Sequence, residues 1–203
     1  MQSSGFLRRA VIALVLALPA ACGAAVEPPP VAELPVTRWD HRPEAETWTR
    51  AALTAVETHG AALPATLPAD IKTFCPGYAS ASEEDRAAFW VGLMSALARY
   101  ESTWRPEAAG AGGRYRGLLQ ISPQTARNYG CAATGNGLYD GAANLSCAIR
   151  IASRQVARTG VVAGKPGAWG GIAADWMPMR DASKRDEIAR WTASQSYCQP
   201  RNI

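Results

Sequence analysis

The sequence predicts an all-α domain, or α with at most one small hairpin. Helix start and stop signals recur along the chain, with apolar residues at helical spacing between them. No segment alternates apolar and polar residues as a half-buried strand would. One stretch, 107–117, carries Gly110, Gly112, Gly113 and Gly117 and reads as a loop or a small hairpin.

The elements follow in order. Residues 44–59 read as a helix ending at Gly60, and 61–81 as irregular chain broken by Pro64, Pro68 and Pro76. Ser82-Glu83-Glu84-Asp85 resembles a helix start, a serine cap with acids in the first turn. That helix should run to about Ser102, because Pro106 disfavours helix in the residue before it. Ser122-Pro123 opens another helix that stops at Gly130. Asp140 caps a long helix to about Arg158, closed by Gly160, with the stripe Leu145, Ile149, Ala152, Val156. A glycine-rich segment, 160–171, leads to a short helix near 171–176, and Ser183 with Asp186 opens a last helix through Trp191.

Residues 1–21 read as a signal peptide. Arg8 and Arg9 precede an uncharged apolar run of 12 residues, Ala10 to Ala21, too short for a membrane span. "LPAAC" resembles a lipobox, with Pro19 where leucine is usual, so two readings stay open: lipidation of Cys22, or cleavage near Ala24 to a soluble exported protein. Residues 22–46 read as a proline-rich tether and 47–203 as the domain, long enough for a core of its own. Losing Arg8 and Arg9 takes the net charge from +4 to +2, which gives no footprint for nucleic acid.

Without Cys22, four cysteines remain, an even number that suits an oxidising compartment and allows three pairings. The expected pairs are Cys131–Cys147, closing a short loop ahead of the long helix, and Cys75–Cys198, tying the C-terminal tail to the segment before the Ser82 helix. No C-x-x-C spacing or nearby histidine suggests a metal.

Glu101 stands out. It follows Trp90, Met94 and Leu97 on one helix face, so it continues an apolar stripe at the helix C-terminus. One reading has it swing out to water. The other keeps it partly buried beside the negative helix end, where both effects favour its protonated form, as a general acid requires.

"ESTWRP" at 101–106 is followed, after the glycine-rich loop, by "GLLQISPQTA" at 117–126. Together these resemble the soluble-lytic-transglycosylase domain, which shares the lysozyme-like fold with goose-type lysozyme. Asn144-Leu145 resembles the family's Asn-Ile, and the likeness spans residues ~82–158. The loop between Pro106 and Gly117 is one residue longer than usual, with Arg114-Tyr115-Arg116 in place of small residues. The family's later Ala-Tyr-Asn-Ala-Gly stretch is replaced by "GGIAADWMPMRD" at 170–181, where Trp176 is the candidate substitute for the tyrosine.

The resemblance implies a lytic transglycosylase of the bacterial periplasm, an outer-membrane lipoprotein if Cys22 is lipidated. It would cleave the MurNAc-β-1,4-GlcNAc bond of peptidoglycan strands to 1,6-anhydro-MurNAc, without cofactor or metal. Glu101 would be the sole acid and base, since neither matching block offers the second carboxylate of a two-carboxylate glycosidase. Ser102, Tyr115, Gln120, Asn144 and Trp176 are candidate substrate-binding residues. Structural readings stand beside them: Ser102 touching helix backbone, Gln120 tying hairpin to helix, Asn144 anchoring the long helix, Trp176 in the core. Asp140 reads as a helix cap rather than a second acid, and Arg114 and Arg116 as an exposed pair. Two other functions remain open: a muramidase hydrolysing the same bond, and a non-catalytic wall-binding protein, for which the atypical 170–181 segment speaks.

Overall fold

The computed structural model describes residues 33–200, so the signal segment, Cys22 and the start of the tether lie outside the described residues. Seven α-helices are described: α1 (Ala45–Thr58), α2 (Ala62–Ala65), α3 (Ile71–Phe74), α4 (Glu83–Ser102), α5 (Pro123–Asn128), α6 (Gly141–Thr159) and α7 (Ala182–Ala193). Two-residue strands form two antiparallel hairpins: β1 (Ala109–Gly110) with β2 (Tyr115–Arg116), and β3 (Gly164–Lys165) with β4 (Ala168–Trp169). The helical class stands. The second hairpin is an addition, built where the glycine-rich 160–171 segment suggested only a connection. The Asp70 carboxylate holds it by accepting the backbone N–H groups of Val162, Ala163 and Gly164 at 2.6, 2.9 and 2.9 Å.

The core is organised around α4. Every residue from Ala87 to Ala98 is buried, although the sequence suggested one apolar stripe. A helix covered on all sides is a core helix, with α1, α2 and α7 packed on it. Small residues make that possible. Tyr197 lies so close to Gly92 that a Cβ there would meet its hydroxyl oxygen at 2.1 Å. Helix α6 packs on α1 through the expected stripe of Leu145, Ile149, Ala152 and Val156, all buried.

Caps act where short polar side chains precede helices. Ser82 accepts from the Asp85 N–H at 3.2 Å, Ser122 from Thr125 at 2.9 Å and Asp140 from Ala143 at 2.8 Å. Gly160 closes α6 at φ 67°, as a left-handed C-terminal glycine does. At α7 the expectation is corrected. Asp181, not Ser183, is the cap, accepting from the Lys184 N–H at 3.0 Å.

The tether boundary is also corrected. Residues 37–46 are part of the folded body, although their prolines and lack of periodicity read as linker. Thr37 and Trp39 are buried, and the Trp39 indole N–H donates to Thr49 Oγ1 at 2.9 Å. Arg38 Nη1 donates to both carboxylate oxygens of Glu187 of α7, at 2.6 and 2.8 Å, and its backbone N–H donates to Ser95 Oγ in α4.

Both expected disulfides form. Cys75–Cys198 spans 123 residues and ties the C-terminal tail beside α3, while Cys131–Cys147 spans 16 and ties the α5–α6 connection to α6. Chain-entropy arguments scale with loop size. Serine replacement of the Cys75/Cys198 pair should therefore cost up to roughly 5 kcal/mol, and of the Cys131/Cys147 pair up to roughly 3 kcal/mol. Urea unfolding of the two double variants under oxidising conditions should show the larger loss for the first pair.

Candidate active site

Helix α4 leaves the core at Glu101, and the backbone there is unusual. Thr103 and Trp104, at φ 53° and 54°, are consecutive non-glycine residues in the left-handed region. Such conformations cost on the order of 1–3 kcal/mol each and persist only where the surroundings enforce them. The enforcement is visible. The Trp104 indole N–H donates to the Ser95 carbonyl at 2.8 Å, and the His41 ring meets Trp104 edge-on at 4.7 Å. Ala111 and Gln120 also have positive φ, so every such non-glycine among the described residues lies between 103 and 120.

The Glu101 side chain is partly buried and has no hydrogen-bond partner among the described residues. Burial pushes its carboxyl up to about 7, against a smaller opposing pull from the Lys184 ammonium. It opens onto a cleft of about 440 Å³ lined by Tyr100, Met177, Pro178, Arg180, Asp181 and Lys184. Helix α4 thus supplies one wall, and the atypical stretch leading into α7 supplies the other.

The remaining candidates separate. Asn144 is fully buried and acts as a clamp. Its Oδ1 accepts from the Leu119 N–H at 2.9 Å, and its Nδ2 donates to the carbonyls of Arg116 and Leu138 at 3.0 and 2.9 Å. Gly117 is forced by the same clamp, since a Cβ would lie 2.3 Å from Asn144 Nδ2 and 2.1 Å from the Leu138 oxygen. Gln120 turns its amide inward, donating to the carbonyls of Ala108 and Gly117 at 3.1 and 2.9 Å. The buried Ser102 hydroxyl donates back to Ala98 at 3.3 Å. Trp176 is corrected: its ring is buried and its indole N–H donates to the Leu119 carbonyl at 2.9 Å, so it offers no face to a sugar. Asn144, Gln120 and Trp176 hold the 117–121 block, Ser102 is turned back onto its own helix, and none of the four lines the cleft. Tyr115, on β2, is 40% exposed and keeps a ring face open to a ligand.

Arg116 is engaged by the Gly113 carbonyl and Asn136, so it is not part of a free basic pair. Among the described residues no group of histidine, cysteine and acid side chains could hold a metal ion. Sequence reasoning missed Tyr100, Met177, Arg180, Asp181 and Lys184. The replaced family stretch at 170–181 marked the region but not the residues. Asp181 is a second carboxylate on the cleft, and its Oδ1 is engaged as the cap of α7.

The transglycosylase SLT domain matches residues 79–174, which include α4, the first hairpin, α5 and α6. Among curated proteins no match is found. Solved structures of Bd0314 DslA are similar throughout. One glutamate-to-glutamine mutant of it has a TM-score of 0.75 and 33% identity, covering 81% of this chain and 98% of that one. The wild-type protein gives 0.73 and 32% over 81% and 98%, and a second glutamate-to-glutamine mutant gives 0.74 and 32% over 83% and 100%. With a relative a third identical across nearly its whole length, and the family's own domain matched around the glutamate that closes α4, the chain belongs to the transglycosylase SLT domain family.

Proposed function

We propose that this protein is a peptidoglycan lytic transglycosylase that cleaves the MurNAc-β-1,4-GlcNAc bond and leaves a 1,6-anhydro-MurNAc end. The observation that carries the reading is Glu101: a carboxyl with no hydrogen-bond partner, half-covered at the end of a core helix, open to a cleft and protonated up to about pH 7. Family membership sets the substrate class.

The chemistry needs one carboxyl. Glu101 gives its proton to the glycosidic oxygen, the C1–O bond breaks, and the GlcNAc portion leaves with a free 4-hydroxyl. The acetamido oxygen of MurNAc closes on C1 as an oxazolinium. The Glu101 carboxylate then takes the 6-hydroxyl proton as O6 attacks C1 and reopens that ring. The acid is regenerated and no water is consumed. Tyr115 is the side chain best exposed to stack on a sugar ring. The reading includes export, with residues 1–21 as signal peptide and Cys22 as the site of lipid attachment. No described helix is long and apolar enough to cross a membrane.

Digestion of purified peptidoglycan tests the reaction type. The wild-type chain is expected to release anhydro-ended muropeptides, seen by mass, and Glu101→Gln should lose activity by several orders of magnitude while staying folded. Reducing-end products would instead favour the muramidase, with Asp181 as the carboxylate to test next.

A pH profile tests the acid. Its kcat/KM should fall as pH rises through about 7, because the deprotonated carboxyl has no proton to give. Stability follows the same shift. The folded-state value of about 7 lies above the ordinary 4.5, so the unfolded chain gives up this proton first as pH rises. Folding therefore weakens between those values and levels off above them, by on the order of 3 kcal/mol. Glu101→Gln should lack that loss and gain on wild type above pH 7, as read by urea unfolding of both proteins at pH 4.5 and 8.

A further inference from the structure

The cleft wall facing Glu101 has a charge balance that the cleavage reaction does not use. It presents Arg180 and Lys184 against the single carboxylate of Asp181. While Glu101 holds the proton its role requires, the lining is net positive. Two of these groups have other commitments. Asp181 caps α7. Arg180 gives two guanidinium N–H groups to the carbonyls of Ala173 and Ala174, each at 2.6 Å. Arg38 and Arg99, from outside the lining, are both spent on Glu187.

Lys184 differs. Its ammonium makes no ion pair and no hydrogen bond with any described residue. It stands over the Tyr100 ring at 5.8 Å and acts electrostatically on Glu101 across the cleft. The backbone that carries Lys184 is held in place, because α7 packs on α4 and its first turn is pinned by the Asp181 cap. The Tyr100 hydroxyl is itself held by Glu187 at 2.9 Å. An unpaired, oriented ammonium beside the reacting centre is a recognition element for an anion.

We propose that Lys184 is a specificity-determining residue that binds a carboxylate of the muramyl unit seated against Glu101, so that the cleft favours anionic over neutral glycan. The inference rests on the peptidoglycan reading of the site. Two carboxylates could be met there, the lactyl group of a strand without peptides or a carboxylate of a stem peptide.

Binding separates the inference from the reaction. Glu101→Gln protein, which keeps the shape of the protonated site, is mixed with glycan strands of four kinds and its Kd is measured. The strands carry stem peptides or have been stripped of them, and each kind is used with free carboxylates or with carboxylates converted to methylamides. Adding Lys184→Gln should weaken binding to the free-carboxylate strands roughly fivefold, the size of one exposed charge pair, and leave methylamide strands unchanged. Lys184→Arg should restore most of the loss. An effect on stripped strands assigns the lactyl carboxylate, and an effect confined to stem-bearing strands assigns the peptide. Equal weakening on free and methylamide strands, or none on either, would overturn the proposal. Because no turnover is measured, these outcomes are the same whether the wild-type chain makes anhydro or reducing ends.

Discussion

The structure depends on the burial of α4 from Ala87 to Ala98. Removing a helix from water on every side requires each polar group it carries to find a partner, since an unpaired buried group costs on the order of 1–3 kcal/mol. The partners are in place. The Trp90 indole donates to the Tyr78 hydroxyl at 2.8 Å, which donates to the Leu63 carbonyl at 3.0 Å. Ser95 donates to Gly92 at 2.6 Å and accepts the Arg38 N–H. No buried side-chain nitrogen or oxygen among the described residues lacks a partner. Glu101 is the point where this rule is relaxed. It is covered enough to lose its charge, and open enough to need no fixed partner. That combination is unstable as packing and useful as chemistry.

Holding such a carboxyl requires the surroundings to be rigid, and two separate clamps supply this. On one side Asn144 ties α6 to the backbone of Arg116, Leu119 and Leu138 through three hydrogen bonds. On the other, Glu187 gathers Arg38, Arg99 and Tyr100 onto α7. Surface ion pairs are individually weak, but three donors gathered on one carboxylate form a network. Its lowered pKa reflects those donors overcoming burial, which acts in the opposite direction. The network recruits the N-terminal arm, so the segment read as tether is a structural part of the wall that carries Lys184.

Local signals in the sequence located three helix caps and missed the fourth, where Asp181 rather than Ser183 caps α7. Ser82, Ser122 and Asp140 cap helices because a short oxygen-bearing side chain is needed there, and that is visible in one residue. Glu101 was legible from its spacing behind Trp90, Met94 and Leu97. What escaped is set by long-range packing. The arm around Trp39 has no periodicity, yet Thr49 and Trp48 bury it. Thr103 and Trp104 give no hint of left-handed backbone, because the enforcing contacts come from Ser95 and His41. Asn144 and Gln120 sit in the matching motifs but act behind the cleft. A motif records which residues the site requires, not which of them face the substrate. Trp176 failed for the same reason: an aromatic in the right segment turned its face to the core.

The opposing wall bears on the proposed one-carboxyl mechanism. Asp181 lies on the same cleft, so one-carboxyl chemistry cannot be argued from the absence of a second acid. The argument is one of engagement. Asp181 Oδ1 accepts the Lys184 N–H at the start of α7. Its Oδ1 is directed at backbone, and moving it toward a sugar would release the Lys184 N–H from its cap. Such a carboxylate is restrained as nucleophile or base, whereas Glu101 has no competing partner. Of the two acids, Glu101 is the one that no described residue holds, which supports its assignment to both proton transfers in the proposed reaction.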